Sequence, residues 1–267
     1  MVRDDSAQEQ ESRGRFDAIP LESRSKPAMI LNMNSDPIPA SQPPVPPHTW
    51  PMRTAITFGV LFAIAFIIWT YFALADTRVS RFDQDLATRL KVVAEHRTYW
   101  RHFFIFCTMC GGIRACITLT AVGFVWAWRR GEKQFAFIWI AIAAAGGLVN
   151  LMLKESLNRD RPPAHLRDEF VAQTNESYPS GHAMGSLIGY GMWAYVIQTR
   201  VRRRRLREVV LSAMGLWLGF ICFSRVFLRA HWLSDVIGGT LVGIAFLTFA
   251  LSYWEYRRAR RPKAAEL

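Results

Sequence analysis

Three short clusters hold the residues best suited to chemistry: Lys154…Arg161-Pro162, Pro179-Ser180-Gly181-His182, and Ser224-Arg225…His231…Asp235. Together they supply three cations, two imidazoles, a carboxylate and a hydroxyl beside a glycine. That inventory suits gripping a phosphate and cleaving its ester bond. Lys154 and Arg161 can clamp a dianion, the arginine through a two-pronged fork. Pro162-Pro163 stops any helix that carries Lys154 from continuing through Arg161. Lysine and arginine at the end of a membrane helix also serve as plain interfacial anchors, so this pair gains meaning from the other two clusters.

Pro179-Ser180-Gly181-His182 precedes an apolar run and reads as a helix start, where free N–H groups and the positive dipole end favour an anion. Ser180 either caps that helix or donates to a phosphate oxygen, and Gly181 lets backbone approach a ligand closely. His182 is the candidate proton donor. In the third cluster, His231 and Asp235 are spaced four apart and are expected to share one helix face. A carboxylate that accepts from one ring nitrogen leaves the other basic and aimed outward, the arrangement of a base or nucleophile with its orienting group. Arg225 adds the third cation. An unpaired carboxylate inside a membrane span costs roughly 2.5–3.5 kcal/mol, so Asp235 needs a partner, and His231 is the expected one.

The elements that must position these clusters are membrane helices. Mean hydropathy is slightly positive although a fifth of the residues are charged, so apolar residues are segregated into blocks. The run from Thr54 to Ala75 has no charged residue and is long enough to cross a bilayer. Further spans are expected at 105–128, 135–153, 183–198, 209–223 and 233–254, giving an all-α bundle of six transmembrane helices. Basic residues dominate the short connections around 129–134 and 199–208 and the segment after the last span. This places those segments, and both termini, on the cytoplasmic side. All three clusters then fall on one extracytoplasmic face. The net charge of +12 reads as a topology signal and an attraction to anionic lipid headgroups, and a nucleic-acid partner is not expected. The expected location is a cell membrane, plasma or inner.

Residues 1–53 are a different material, holding nine of the thirteen prolines and no apolar stretch. They read as a disordered proline-rich cytoplasmic arm, with a ligand for a proline-binding module as the sharper alternative. Residues 54–256 form the membrane domain and 257–267 a basic cytoplasmic tail. Between the first two spans, Val79, Phe82, Leu86, Leu90 and Val93 recur at helical spacing. They mark an amphipathic helix, packed on the bundle or lying in the interface, with a lid as the functional alternative. Arg114 falls inside the second span and is expected to face the bundle or a wet headgroup cavity, where it would contact the substrate headgroup or a carboxylate near it. Cys107 and Cys110 read as small packing residues of a membrane helix. Asn175-Glu176-Ser177 is a glycosylation sequon.

Taken together, Lys154-x6-Arg161-Pro162, Pro179-Ser180-Gly181-His182 and Ser224-Arg225-x5-His231-x3-Asp235 resemble the three-part signature of the type 2 phosphatidic acid phosphatase superfamily, in its membrane branch. The resemblance covers about residues 80–255. It implies that His231 attacks phosphorus to give a phosphohistidine, with Asp235 orienting it. His182 would protonate the leaving alkoxide and then assist water. Lys154, Arg161, Arg225, Ser180 and Gly181 would hold the phosphoryl oxygens, so that neither a cofactor nor a metal ion is expected. The expected partner is a phosphate-bearing lipid within the bilayer: phosphatidic acid, phosphatidylglycerol phosphate, a polyprenyl pyrophosphate, a sphingoid phosphate or a lipid A phosphate. A phosphotransferase using the same intermediate, and a non-catalytic lipid-phosphate binder or transporter, stay open as alternatives. The sequence does not choose the lipid or the oligomeric state.

Overall fold

The computed structural model describes residues 52–172 and 175–260. Among them the regular structure is helical throughout, with eight helices and no strand: α1 (Met52–Ala75), α2 (Thr77–His96), α3 (Thr98–Gly111), α4 (Ile113–Arg129), α5 (Lys133–Leu157), α6 (Gly181–Arg200), α7 (Arg204–Phe227) and α8 (Leu233–Ala259). The arm expected over 1–53 lies outside the described residues except for Met52 and Arg53, which already belong to α1. Likewise α8 runs on through Ala259, so the first residues of the expected basic tail are helical, and its remainder beyond 260 lies outside the described residues.

Helices α1, α5, α7 and α8 are long and apolar enough to cross a membrane, and the α3–α4 pair is a fifth candidate if its two pieces form one span. The outer surface fits that setting. Leu61, Ile67 and Tyr71 on α1, and Tyr99, Phe106 and Ile113 on α3 and α4, are exposed, an apolar surface that water would penalise and lipid would not. The sequence reading of six spans meets two physical departures. The second span is not one helix: the chain breaks at Gly112, whose backbone is extended, and α3 and α4 meet at a bend of 47°. Gly111 permits the close packing beside this break, since a Cβ there would overlap Cγ2 of Ile221 on α7. The fourth expected span, α6, is not among the helices that qualify by length and apolarity. The reason is its position. No residue from Gly181 through Thr199 is exposed, because α6 packs against α3, α4, α5, α7 and α8. A helix wrapped by helices can carry the small and polar residues that close packing favours, such as Gly185, Ser186 and Gly189.

The amphipathic segment forms α2, begun by Asp76, whose carboxylate accepts from the Arg78 N–H at 2.7 Å. Leu86 and Leu90 pack into the bundle, whereas Phe82 and Val93 are exposed. At its other end, α5 stops where Asn158 adopts a left-handed conformation (φ 38°) and returns its N–H to the Lys154 carbonyl at 2.9 Å. The 158–180 connection then crosses toward α8. Between α7 and α8 the chain turns tightly through Arg229 (φ 52°), and the N–H groups of Ala230 and His231 both return to the Arg225 carbonyl. This turn seats His231 over the end of α7.

Candidate active site

The second and third clusters meet because α8 has no side chains where the 177–180 segment lies. A Cβ on Gly238 would overlap the Tyr178 ring, and one on Gly239 would lie 2.6 Å from the Ser180 carbonyl oxygen. The contact is fixed by the Ser180 N–H donating to the Asp235 carbonyl at 3.0 Å and by the Tyr178 hydroxyl meeting Thr70 of α1 at 2.8 Å. Asp235, fully buried, sits in the first turn of α8 and accepts from the Trp232 N–H at 2.9 Å through Oδ2. His231 is not on that helix, as the four-residue spacing suggested. It lies in the turn before α8, and the carboxylate that caps the helix start reaches back to it.

The His231 ring is oriented from both sides. Nδ1 lies 3.4 Å from Asp235 Oδ2 and 3.4 Å from the Ser177 hydroxyl, which itself donates to Oδ2. Nε2 points the other way, 3.2 Å from Arg161 Nη1, and His231 lines a cavity of about 420 Å3. Burial, reinforced by Arg225, Arg161 and Lys154, holds the imidazole well below its usual pKa. Nε2 is the ring nitrogen turned away from Asp235, toward Arg161. His231 is a partner of Asp235, as expected, but not the nearest one. The shorter contacts to that carboxylate come from Arg159 Nη1, 2.6 Å from Oδ1, from Ser177 and from the Trp232 N–H.

Arg161 hangs over the same cavity. Its Nε and Nη2 donate to the carbonyl and side-chain oxygens of Asn175 at 2.6 and 2.8 Å, and Nη1 to the Ala230 carbonyl at 2.7 Å. Burial lowers its pKa somewhat, with Arg167 adding to this and Asp235 and Glu176 opposing it. Lys154, in the last turn of α5, is buried and donates to the Glu176 carbonyl and, at 3.4 Å, to that of Ser177. Lys154, Arg161, Gly181, His182 and His231 all line the cavity. Arg225 lies beneath, buried, with Nη1 donating to Thr108 at 2.6 Å. Ser180 occupies the cap position of α6 without making a side-chain cap bond, and its buried hydroxyl has no hydrogen-bond partner among the described residues. His182 stands beside the α3–α4 break, its Nε2 3.5 Å from where a Gly112 Cβ would be. From the polar end the cavity runs down between α4, α5 and α6 past Thr120, Ala143, Gly147, Leu151 and Ile188.

Arg114 is the site residue that the fold does not bring in. It lies in the first turn of α4, exposed, and does not line the cavity. The sequence reading also missed Ser177, Arg159 and Asn150. Ser177 and Arg159 lie within the irregular 158–180 connection, where no periodicity marks a facing side. Asn150, one turn before Lys154 and on the same helix face, lines the cavity, and a polar side chain within an apolar span was the signal available for it. Asn175, read as a sequon, has its side-chain oxygen engaged by Arg161.

The structure thus sets a histidine–carboxylate pair beside a cavity lined by cationic side chains, within a bundle of apolar helices. Residues 135–259 match the sequence model of the PAP2 superfamily. Over 148 residues it is 30% identical to the glucose-6-phosphatase catalytic subunit 1 of Canis lupus familiaris, covering 45% of this chain and 40% of that protein. It is 27% identical over 120 residues to phosphatidylglycerophosphatase B of Bacillus subtilis (strain 168), covering 43% of this chain and 56% of the relative. Against phosphatidylglycerophosphatase B of Escherichia coli (strain K12) the identity is 29% over 120 residues, covering 45% and 43%. The matches thus span about half the length of these curated relatives, or less. The fold matches the crystal structure of the first transmembrane PAP2 type phosphatidylglycerolphosphate phosphatase from Bacillus subtilis, with a TM-score of 0.66 at 22% identity, over 76% of this chain and 98% of that one.

Proposed function

We propose that this protein is an integral-membrane phosphatase that hydrolyses a phosphomonoester or pyrophosphate on a lipid through a phosphohistidine. The observation that carries the reading is the cavity lined by Lys154, Arg161, His182 and His231, which continues between α4, α5 and α6 along apolar and small residues. Such a shape suits a charged headgroup joined to an apolar chain better than it suits a free sugar phosphate. His231 attacks phosphorus through Nε2, because Nδ1 is directed at Asp235 and Ser177. The phosphoryl oxygens then draw Arg161 away from Nε2 and meet Lys154 and the start of α6, while Arg225 adds positive charge from below. Preorganised donors of this kind typically lower a barrier more than any other single effect in an active site. The P–O bond to the alcohol breaks as the P–N bond forms, and His182 gives the leaving oxygen its proton. Water, deprotonated by His182, then displaces His231 and releases phosphate. The fixed cations take the role that a metal ion fills in other phosphatases. In the membrane, six crossings would place this site on the extracytoplasmic face with both termini in the cytoplasm, in keeping with the basic segments around 129–134 and 199–208.

The test is phosphate release by detergent-purified full-length protein from a panel of phosphatidic acid, phosphatidylglycerol phosphate and polyprenyl pyrophosphate, with EDTA present and His231→Ala alongside. Release that persists in EDTA and disappears in the variant supports the reading, and the preferred lipid names the substrate. A well-folded protein that releases no phosphate from any lipid would overturn it.

A further inference from the structure

The orienting carboxylate of this site is itself held by a second, buried layer that begins on the amphipathic helix. Arg159 stands between two carboxylates: Nη1 is 2.6 Å from Asp235 Oδ1, and Nη2 is 3.1 Å from Oδ2 of Asp83 on α2. Nη1 also donates to the Ser234 hydroxyl at 2.6 Å, and that hydroxyl donates in turn to Asp83. Asp83 further accepts the Ser234 N–H at 3.2 Å, at the start of α8, where a negative charge is favoured by the helix dipole. Asp83 is 3% exposed and Asp235 0%. Neither Asp83 nor Arg159 lines the cavity, so contact with substrate does not explain them.

The geometry points to Asp83 and Arg159 as positioning residues for catalysis, which act on His231 through Asp235 and make α2 part of the catalytic unit. The reasoning rests on which oxygen each donor takes. Arg159 binds Oδ1 of Asp235, while Ser177, the Trp232 N–H and His231 Nδ1 gather at Oδ2. A carboxylate fixed at one oxygen by a guanidinium does not rotate, so its other oxygen stays aimed at the imidazole and keeps the proton on Nδ1. Asp83 fixes the guanidinium from its far side and, through Ser234, fixes the first turn of α8 that carries Asp235. Lysine would keep the charge of Arg159 but lacks a planar fork able to span both carboxylates.

This inference rests on the phosphatase reading above, and its test separates the two. In Arg159→Gln, kcat for lipid phosphate release falls by about 10- to 100-fold, the range seen when partners behind a catalytic group are removed. KM and the inhibition constant of inorganic phosphate stay at the wild-type values, because the phosphate pocket is untouched. Arg159→Lys recovers part of the loss. Asp83→Asn, which preserves shape, lowers kcat about 2- to 10-fold, and adding it to Arg159→Gln costs little more, as expected for residues acting as a unit. Wild-type kcat in Arg159→Gln or in Asp83→Asn, or losses of kcat matched by equal rises in KM and phosphate inhibition constant, would overturn the assignment. Nitrogen-15 NMR of the histidines in the full chain gives a readout that needs no turnover. His231 should be a single Nδ1-protonated tautomer in the wild type and a mixture in Asp83→Asn and Arg159→Gln. A tautomer unchanged in both variants would count against the positioning role even if the wild type released no phosphate, an outcome that would sink the phosphatase reading alone.

Discussion

Asp235 and Asp168 are both buried carboxylates held by arginine, yet each is held in a different way. Asp168 receives Arg101 as a fork, Nε to Oδ2 at 2.8 Å and Nη2 to Oδ1 at 2.9 Å, together with the Phe170 N–H at 3.0 Å and Arg229 3.7 Å away. Its own N–H donates to the Leu228 carbonyl at 3.2 Å. This carboxylate ties α3, the 158–180 connection and the α7–α8 turn together, and it does not line the cavity. Asp235 receives only one prong of Arg159, and its second oxygen is left to a hydroxyl, a backbone N–H and an imidazole. A carboxylate saturated by guanidinium can only hold structure, whereas one that divides its oxygens between a fixed cation and a histidine can pass its orientation to a reacting atom.

The comparison can be broken by removing each carboxylate and asking what is lost. The largest effect belongs to the atom that Asp235 serves: His231→Ala should lower phosphate release by about 10^4-fold or more, as when the nucleophile or base of a catalytic unit is removed. Asp235→Asn should follow with a fall in kcat of about 10^3-fold and little change in KM, since an amide supports the wrong imidazole tautomer. Steady-state kinetics on one purified lipid measures both. Asp168→Asn should show the opposite pattern, a loss of stability of about 3 kcal/mol from a broken buried pair with kcat retained per folded molecule. Thermal unfolding in detergent, paired with activity per folded protein, decides it, and a kcat loss there without a stability loss would erase the contrast between the two regions.

A smaller effect sharpens the same point through pH. Burial alone would raise the pKa of Asp168, but the Arg101 hydrogen bond, the Phe170 N–H and the charges of Arg101 and Arg229 outweigh it and hold it below the ordinary 3.8. A carboxylate with a depressed folded pKa contributes stability that is complete above its unfolded value and is lost as pH falls through the folded one. The wild type should therefore lose stability on acidification below about pH 4 more steeply than Asp168→Asn, measured as unfolding temperature against pH. The smallest effect is expected at Arg114, exposed and away from the cavity. Arg114→Gln should leave KM within about twofold, as for surface substitutions in general.

The residues of the site were legible in the sequence because their spacing is local: Lys154 to Arg161 spans a helix end, Ser180 to His182 a helix start, and His231 to Asp235 a turn and its cap. Apolar runs without charge gave the helices, since a span must satisfy its backbone internally and needs about 20 residues to do so. Three things were decided only by the tertiary structure. One is the bend at Gly112, beside which Gly111 packs against Ile221 of α7 and after which Arg114 is exposed. The sheltered position of α6 follows from the five helices around it and explains why its own composition is a weak guide to a membrane span. The third is the second layer behind Asp235. Asp83 and Arg159 are 76 residues apart, as are Arg159 and Asp235, and a charge in a loop or on an amphipathic helix ordinarily belongs to solvent. The sequence by itself determined the chemical inventory and the helices that carry it, because both are properties of short segments. Which carboxylate orients a histidine and which only binds the bundle was set by the partners that distant segments bring to each oxygen, and local spacing carries no record of that.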